Sequence, residues 1–160
     1  SLVLSAASAA PLPAAEFQAR QQVVQWLSKH RYQGMSRKRL AEFVHPDQLN
    51  NPLVTAPILA MDRELGHDVL DTQLRHTSDR RSLLTQLAKI RCPVLLVAGR
   101  DDRLVDVVQL EQMATLLTDA QLLLLPDCGH MLPLEQPALL ASELLAFYQR
   151  LSVPAVGSKL

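Results

Sequence analysis

Two short apolar runs separated by one helical pattern constrain the fold of this chain most strongly. Val94 to Ala98 and Leu122 to Leu125 are apolar at every position, which indicates burial on both faces, as in a parallel sheet covered by helices. Asp106 can cap a helix between the two runs, and the inner face of that helix carries Leu110, Met113, Ala114 and Leu117. We therefore predict two parallel strands joined by a right-handed crossover.

The rest of the chain is predicted to divide around this unit. Residues 1–13 form a core strand, Leu2 to Ser5, and a loop; residues 14–90 are helical without strands; residues 91–151 are the βαβα core; and residues 152–160 are a frayed tail. Within 14–90 we expect five helices. They span Ala14 to His30, Ser36 to just before Pro46, Asn51 to a stop at Gly66, a short stretch around Val69 to Leu74, and 83–90 with Ser78 or Asp79 as its cap.

Composition excludes several classes of function. Acidic and basic residues number 16 each, so no field would gather polyanions and nucleic acid is not expected as a partner. No apolar run approaches the ~20 residues of a membrane span. Cys92 and Cys128 cannot form a disulfide framework and lack metal-ligand spacing, so a reducing cytoplasm is expected.

Polar side chains follow both predicted strands. Asp101 and Asp102 come after the first strand and His130 after the second, and in parallel sheets functional residues collect at these carboxyl ends. A carboxylate there can accept the Nδ1 proton of a histidine and stabilise the imidazolium that forms when Nε2 takes a proton from a nucleophile. The alternative is that these are ordinary turn residues, and spacing alone gives the two interpretations equal weight.

From Leu84 onward the sequence resembles the C-terminal part of the α/β-hydrolase family. The matching motifs are C-P-V-L-L-V-A-G-R-D-D, then L-L-L-L-P-D-C-G-H, then L-E-Q-P, and residues 14–90 are more loosely similar to the family's helical lid. The resemblance implies that Asp102, at the fourth position of G-x-x-D, orients the histidine, that His130 is the general base, and that Asp101 is a turn residue. It implies no metal and no organic cofactor.

One motif of the family is missing. The nucleophile of α/β-hydrolases lies in G-x-S-x-G, and none of the serines here has those flanking glycines. We expect the nucleophile upstream of Ser1, in a longer hydrolase of which this chain is the C-terminal portion, inactive alone. The expected reaction is Ser-His-Asp cleavage of an ester, lactone or similar acyl bond of a small molecule, as in enol-lactonases and methyl esterases. The alternative is an inactive fragment or a hydrolase-derived binding protein.

Further side chains are weaker candidates. Trp26 and Met131 are predicted to contact substrate, with ordinary packing as the alternative for both. His45 and Tyr32 belong to the same group of possible pocket residues. Cys128 lies two residues before His130 and could be a nucleophile, although nothing in the sequence indicates a depressed pKa, and a structural thiol is the simpler interpretation.

Overall fold

Three parallel strands form the sheet at the centre of the protein. The computed structural model describes residues 1–152, so the predicted tail lies, apart from Ser152, outside the described residues. The strands are β1 (Leu2–Ser5), β2 (Val94–Gly99) and β3 (Ala120–Leu125), in the order β1-β2-β3. Both pairs are parallel, and the predicted α/β fold is thereby confirmed.

The helices lie between and after these strands. Residues 14–90 contain α1 (Ala14–Leu27), α2 (Arg37–Phe43), a 3₁₀ turn (Pro46–Gln48), α3 (Pro52–Ser78) and a second 3₁₀ helix (Leu84–Lys89). The crossover helix between β2 and β3 is α4 (Val107–Leu116). Two helices follow β3, namely α5 (Leu132–Glu135) and α6 (Pro137–Ser152). Side chains of the predicted types cap three of the α-helices. Ser36, Asn51 and Asp106 accept from the N–H groups of Arg39, Leu53 and Val108.

The helical region, residues 14–90, departs from expectation at three points. First, α1 ends at Leu27 instead of His30. Second, Gly66 has φ 65° and ψ −155°, so the helix breaks there and a further helical stretch follows, both as expected, but that stretch continues to Ser78 instead of ending near Leu74. Third, Ser78 is that helix's last residue and donates its hydroxyl to Leu74 O; the 3₁₀ helix after it has no side-chain cap. The predicted Ser78 or Asp79 cap is therefore wrong.

The two predicted core strands differ in burial. Every residue of β2 is buried, because β1 and β3 flank it and helices cover it, with Leu110 and Met113 of α4 in its cluster. In β3 only Leu125 is buried and the other five residues are partly exposed. Full burial of β3 was expected and is wrong, since within residues 1–152 β3 pairs on one side only.

A second apolar cluster joins the helical region to the loop that follows β3. Leu40, Val44, Val54 and Ile58 are its buried members, and Met131 and Leu134 pack against it. The helical region therefore lies against the carboxyl end of the sheet, where polar residues follow β2 and β3. In the described part of the chain no helix combines the length and apolarity needed to cross a membrane.

Candidate active site

Asp102 and His130 meet where two neighbouring strands end. Asp102 follows β2 and His130 follows β3, and His130 Nδ1 lies 2.9 Å from Asp102 Oδ2. The Asp102 side chain is 0% exposed and the His130 side chain 25% exposed. A buried acid thus holds the Nδ1 edge of an imidazole whose side chain is partly exposed to solvent.

Backbone donors fix the orientation of the Asp102 carboxylate. Its Oδ1 accepts the N–H groups of Leu104 at 2.8 Å and Val105 at 3.0 Å, which leaves Oδ2 for His130. Because a carboxylate only accepts, this contact places the proton of neutral His130 on Nδ1 and the lone pair on Nε2. Within residues 1–152 no protein group forms a hydrogen bond to Nε2, so that nitrogen is free to take a proton.

The helical region holds His130 from the opposite side. The N–H of His130 donates to Phe43 O at 2.9 Å, and the Phe43 ring packs edge to face against the imidazole, with 6.1 Å between ring centroids and 79° between planes. Both backbone and ring of the histidine are therefore positioned by the end of α2.

Two glycines let the backbones around His130 approach closely. A Cβ on Gly99, the last residue of β2, would lie 2.1 Å from Gly129 O and 2.2 Å from Cys128 O. A Cβ on Gly129 would lie 2.7 Å from the backbone nitrogen of His45. These distances leave no room for a side chain, which accounts for the glycines in the G-x-x-D and G-H motifs.

Asp101 does not reach His130. Its side chain is 43% exposed, its Oδ2 lies 3.8 Å from His45 Nε2, and its N–H donates to Cys128 O at 3.0 Å. Asp101 therefore serves the turn, and His45 borders the site without facing Asp102. In residues 1–152 no group of three or more His, Cys, Asp or Glu side chains is placed to hold a metal ion.

Cys128 is a structural thiol. It is 0% exposed and belongs to a core cluster with Val97, Leu125 and Leu132. Burial, and then the charge of the nearby Glu135, raises the pKa of its thiol to about 12. Because the thiolate is the nucleophilic form, Cys128 is protonated near neutral pH and does not act as a nucleophile.

A cavity of about 620 Å³ lies between α1, α2 and α3, and neither Asp102 nor His130 belongs to its lining. Phe43, which touches His130, forms part of its wall, and so does Tyr32, whose hydroxyl donates to Asp62 Oδ1 at 2.7 Å. The remaining lining combines five apolar residues, Ala19, Val23, Met35, Leu70 and Leu74, with a larger number of charged and polar ones, Glu16, Arg20, Ser36, Arg39, Glu42, Asp62, Gln73 and Thr77.

The two predicted substrate-contacting residues lie outside this cavity's lining. Trp26 is on the outer surface of α1, 45% exposed and stacked on His30 with 4.7 Å between ring centroids, because α1 buries Val24 and Leu27 instead. Met131 packs against the cluster around Val44. For both residues the structure shows packing with protein neighbours.

Glu135 was not singled out from the sequence, although it lies among the site's backbone groups. Glu135 is the last residue of α5 and is 7% exposed. Its carboxylate accepts three backbone N–H groups, from His45, Gly129 and Met131. The available signal was an acid embedded in the apolar run that begins at Leu132, since buried acids in proteins need partners.

A parallel sheet that carries a buried acid and a histidine at adjacent strand ends defines an α/β protein with an acid–base pair of the hydrolase type. The sequence profile of the Alpha/beta hydrolase family matches residues 1–143, and the chain belongs to that family. Monoacylglycerol lipase ABHD6 of Rattus norvegicus is 30% identical over 120 residues, which cover 74% of this chain and 34% of the lipase. The chain thus spans about a third of the length of that relative.

Solved structures share the fold. An esterase from Thermogutta terrifontis superposes with a TM-score of 0.83 and 19% identity, over 94% of this chain and 56% of the esterase. A hydrolase from Pseudomonas aeruginosa PA01 superposes with a TM-score of 0.76 and 26% identity, over 91% of this chain and 54% of that protein. The chain therefore corresponds to a little over half of each of these proteins.

Proposed function

We propose that this chain is the acid–base half of a hydrolase that cleaves an ester, lactone or similar acyl bond of a small molecule. The observation that carries the proposal is the 2.9 Å contact between His130 Nδ1 and the buried Asp102 carboxylate, which leaves Nε2 available for proton transfer. The similarity to a monoacylglycerol lipase and to an esterase supports acyl-bond chemistry.

The proposed reaction proceeds through an acyl-serine. His130 Nε2 takes the proton from the serine hydroxyl as its oxygen attacks the acyl carbon, and then gives that proton to the leaving oxygen when the bond to it breaks. In the second half, His130 takes a proton from water as the water oxygen attacks the acyl-serine, and returns it to the serine oxygen. Asp102 remains ionised and stabilises the imidazolium present in both halves.

The nucleophile is proposed to lie N-terminal to this stretch. None of the serines here stands in G-x-S-x-G, the sequence of the sharp strand-to-helix turn that exposes a nucleophile in α/β-hydrolases. The same upstream part would supply the oxyanion hole, of which one donor is the backbone N–H after the nucleophile.

The helical region is proposed to act as a lid whose cavity receives the uncharged part of the substrate. The charged residues in the cavity wall have partners of their own: Arg20 pairs with Glu16 at 2.7 Å, Arg39 pairs with Glu42, and Asp62 accepts from Tyr32. The two ion pairs neutralise their own charges, whereas Asp62 accepts only from neutral groups and keeps a negative charge that disfavours an anionic substrate group. The apolar residues favour a hydrocarbon chain.

The test is histidine replacement in the protein that includes the upstream sequence. His130→Ala should lower kcat/KM for a nitrophenyl ester by about 10³-fold or more, because the general base is removed. His76→Ala is the matched control, since His76 is exposed near the end of α3, and it should leave turnover unchanged. Near-normal turnover of the His130→Ala protein would contradict the proposal.

A catalytically inactive fragment or a hydrolase-derived binding protein is the second candidate. The lack of a G-x-S-x-G motif in these residues favours it. The same esterase assay separates the two, because the first candidate requires turnover in the protein that includes the upstream sequence and none from this chain alone. Binding of an ester without turnover by the longer protein would favour the second candidate.

A further inference from the structure

We propose that Glu135 is a positioning residue that ties the loop carrying His130 to residues 43–45 of the helical region. Its contribution to turnover rests on the proposed function of His130, whereas the tie itself is a property of the fold. Glu135 does not touch the imidazole; it acts through the backbone on both sides of it.

Three hydrogen bonds carry the inference. Glu135 Oε2 accepts the N–H of His45 at 2.7 Å and the N–H of Gly129 at 3.0 Å. Glu135 Oε1 accepts the N–H of Met131 at 3.0 Å. The donors therefore flank His130 on both sides and include one residue 90 positions earlier in the chain. A single buried side chain thus joins the histidine loop to the segment that leaves α2.

The donors favour a carboxylate over an amide. All three groups that face Glu135 are N–H donors, and two ionised oxygens can accept all of them. A glutamine would have one oxygen and an NH₂ group that cannot accept, so at least one backbone donor would lose its partner. Bonds to an ionised acceptor are also stronger than neutral ones, which suits a residue that holds two segments together.

Close packing makes the tie rigid. Besides the Glu135 bonds, His130 N donates to Phe43 O at 2.9 Å. A Cβ on Gly129 would meet the Val44 carbonyl carbon at 2.8 Å and its Cα at 2.9 Å, so the two backbones are in direct contact. Any movement of residues 43–45 away from the sheet would break the bond from His130 N to Phe43 O and the bond from His45 N to Glu135. The helical region is therefore fixed at this point, and the proposed lid would open elsewhere.

The experiment replaces Glu135 in the protein that includes the upstream sequence. Glu135→Gln is compared with the matched control Glu111→Gln, whose side chain is exposed on α4. At a temperature where circular dichroism shows both variants folded, Glu135→Gln should lower kcat by about 10²-fold, the cost of a misplacement of about 1 Å, with KM unchanged. A glutamate with only a structural role would lower the melting temperature and leave kcat of the folded protein unchanged, which would overturn the proposal.

Amide hydrogen exchange measures the tie without reference to activity. In the unmodified protein the N–H groups of His45, Gly129 and Met131 should be protected and share a similar protection factor, because one carboxylate holds all three. Glu135→Gln should accelerate exchange at these positions and leave Leu96, in the buried strand β2, unaffected. Unprotected exchange at His45 while Gly129 stays protected would refute the tie, even if the variants fail to fold.

The two measurements separate this inference from the proposed function. If His130→Ala retains turnover, the function proposed for His130 fails, while the exchange rates still decide whether Glu135 joins the two segments. If His130→Ala abolishes turnover but Glu135→Gln changes neither kcat nor exchange, the proposed function stands and the positioning role of Glu135 is refuted.

Discussion

Asp102→Asn is the substitution whose outcome follows most fully from the geometry. Asparagine has the shape of aspartate but one of its two acceptor oxygens becomes an NH₂ donor. The backbone N–H groups of Leu104 and Val105, at 2.8 and 3.0 Å from Oδ1, both require an acceptor. They therefore force the amide oxygen toward themselves and turn the NH₂ toward His130 Nδ1.

This orientation of the amide changes the tautomer of His130. Facing an NH₂ donor, Nδ1 must accept, so the proton moves to Nε2 and the lone pair needed to take the nucleophile's proton is lost. The same replacement of a triad acid lowers kcat by about 10⁴ in a serine protease, and we expect a similar loss here, equivalent to about 5 kcal/mol of transition-state stabilisation. Because both backbone donors keep their acceptor, the melting temperature should change little.

The assay is hydrolysis of a nitrophenyl ester by the protein that includes the upstream sequence, together with ¹⁵N NMR of the His130 ring to identify the protonated nitrogen. Asp101→Asn is the control, since Asp101 lies beside His45 and does not contact His130; it should keep normal kcat. If Asp102→Asn loses less than about tenfold in kcat, or if its ring proton stays on Nδ1, the reasoning is refuted.

Four further outcomes are expected. Gly129→Ala places a Cβ 2.7 Å from the backbone nitrogen of His45, and differential scanning calorimetry should detect a loss of about 1 to 3 kcal/mol from overpacking. Cys128 should resist iodoacetamide at pH 8 while the partly exposed Cys92 reacts. Because the pKa of Cys128 rises from 9.0 to about 12 on folding, its contribution to the free energy of unfolding should fall as pH rises between those values. Leu74→Trp should fill part of the cavity and raise KM for long acyl esters but not for acetyl esters.

The parallel sheet and the proximity of the site residues could be read from the sequence because each depends on short-range patterns. Fully apolar β2 indicated a strand buried on both faces, and parallel neighbours bring Asp102 and His130 to one edge whatever the intervening helix contains. The predicted break at Gly66 is confirmed, because its φ of 65° interrupts the helical geometry of α3. The end of the second helical stretch at Ser78 could not be read, because no proline or glycine marks it in the sequence.

The residues that surround the histidine were harder to predict because their roles depend on long-range contacts. Glu135 is held by a donor 90 residues away, at His45, and no local pattern reveals that pairing. Trp26 has a large aromatic side chain of the kind that often lines pockets, but it lies on the exposed face of α1. Which face of a helix is buried depends here on the neighbour it meets, and that neighbour, α3, is distant in the sequence.

The assignment of His130 as general base is tested by the structure of the protein with its upstream sequence after reaction with a fluorophosphonate, which forms a covalent bond to activated serines. We expect a single labelled serine, N-terminal to residue 1, with its Oγ within about 3.2 Å of His130 Nε2. A labelled residue remote from His130, or the absence of labelling in a protein that hydrolyses esters, would contradict the assignment of His130 as its general base.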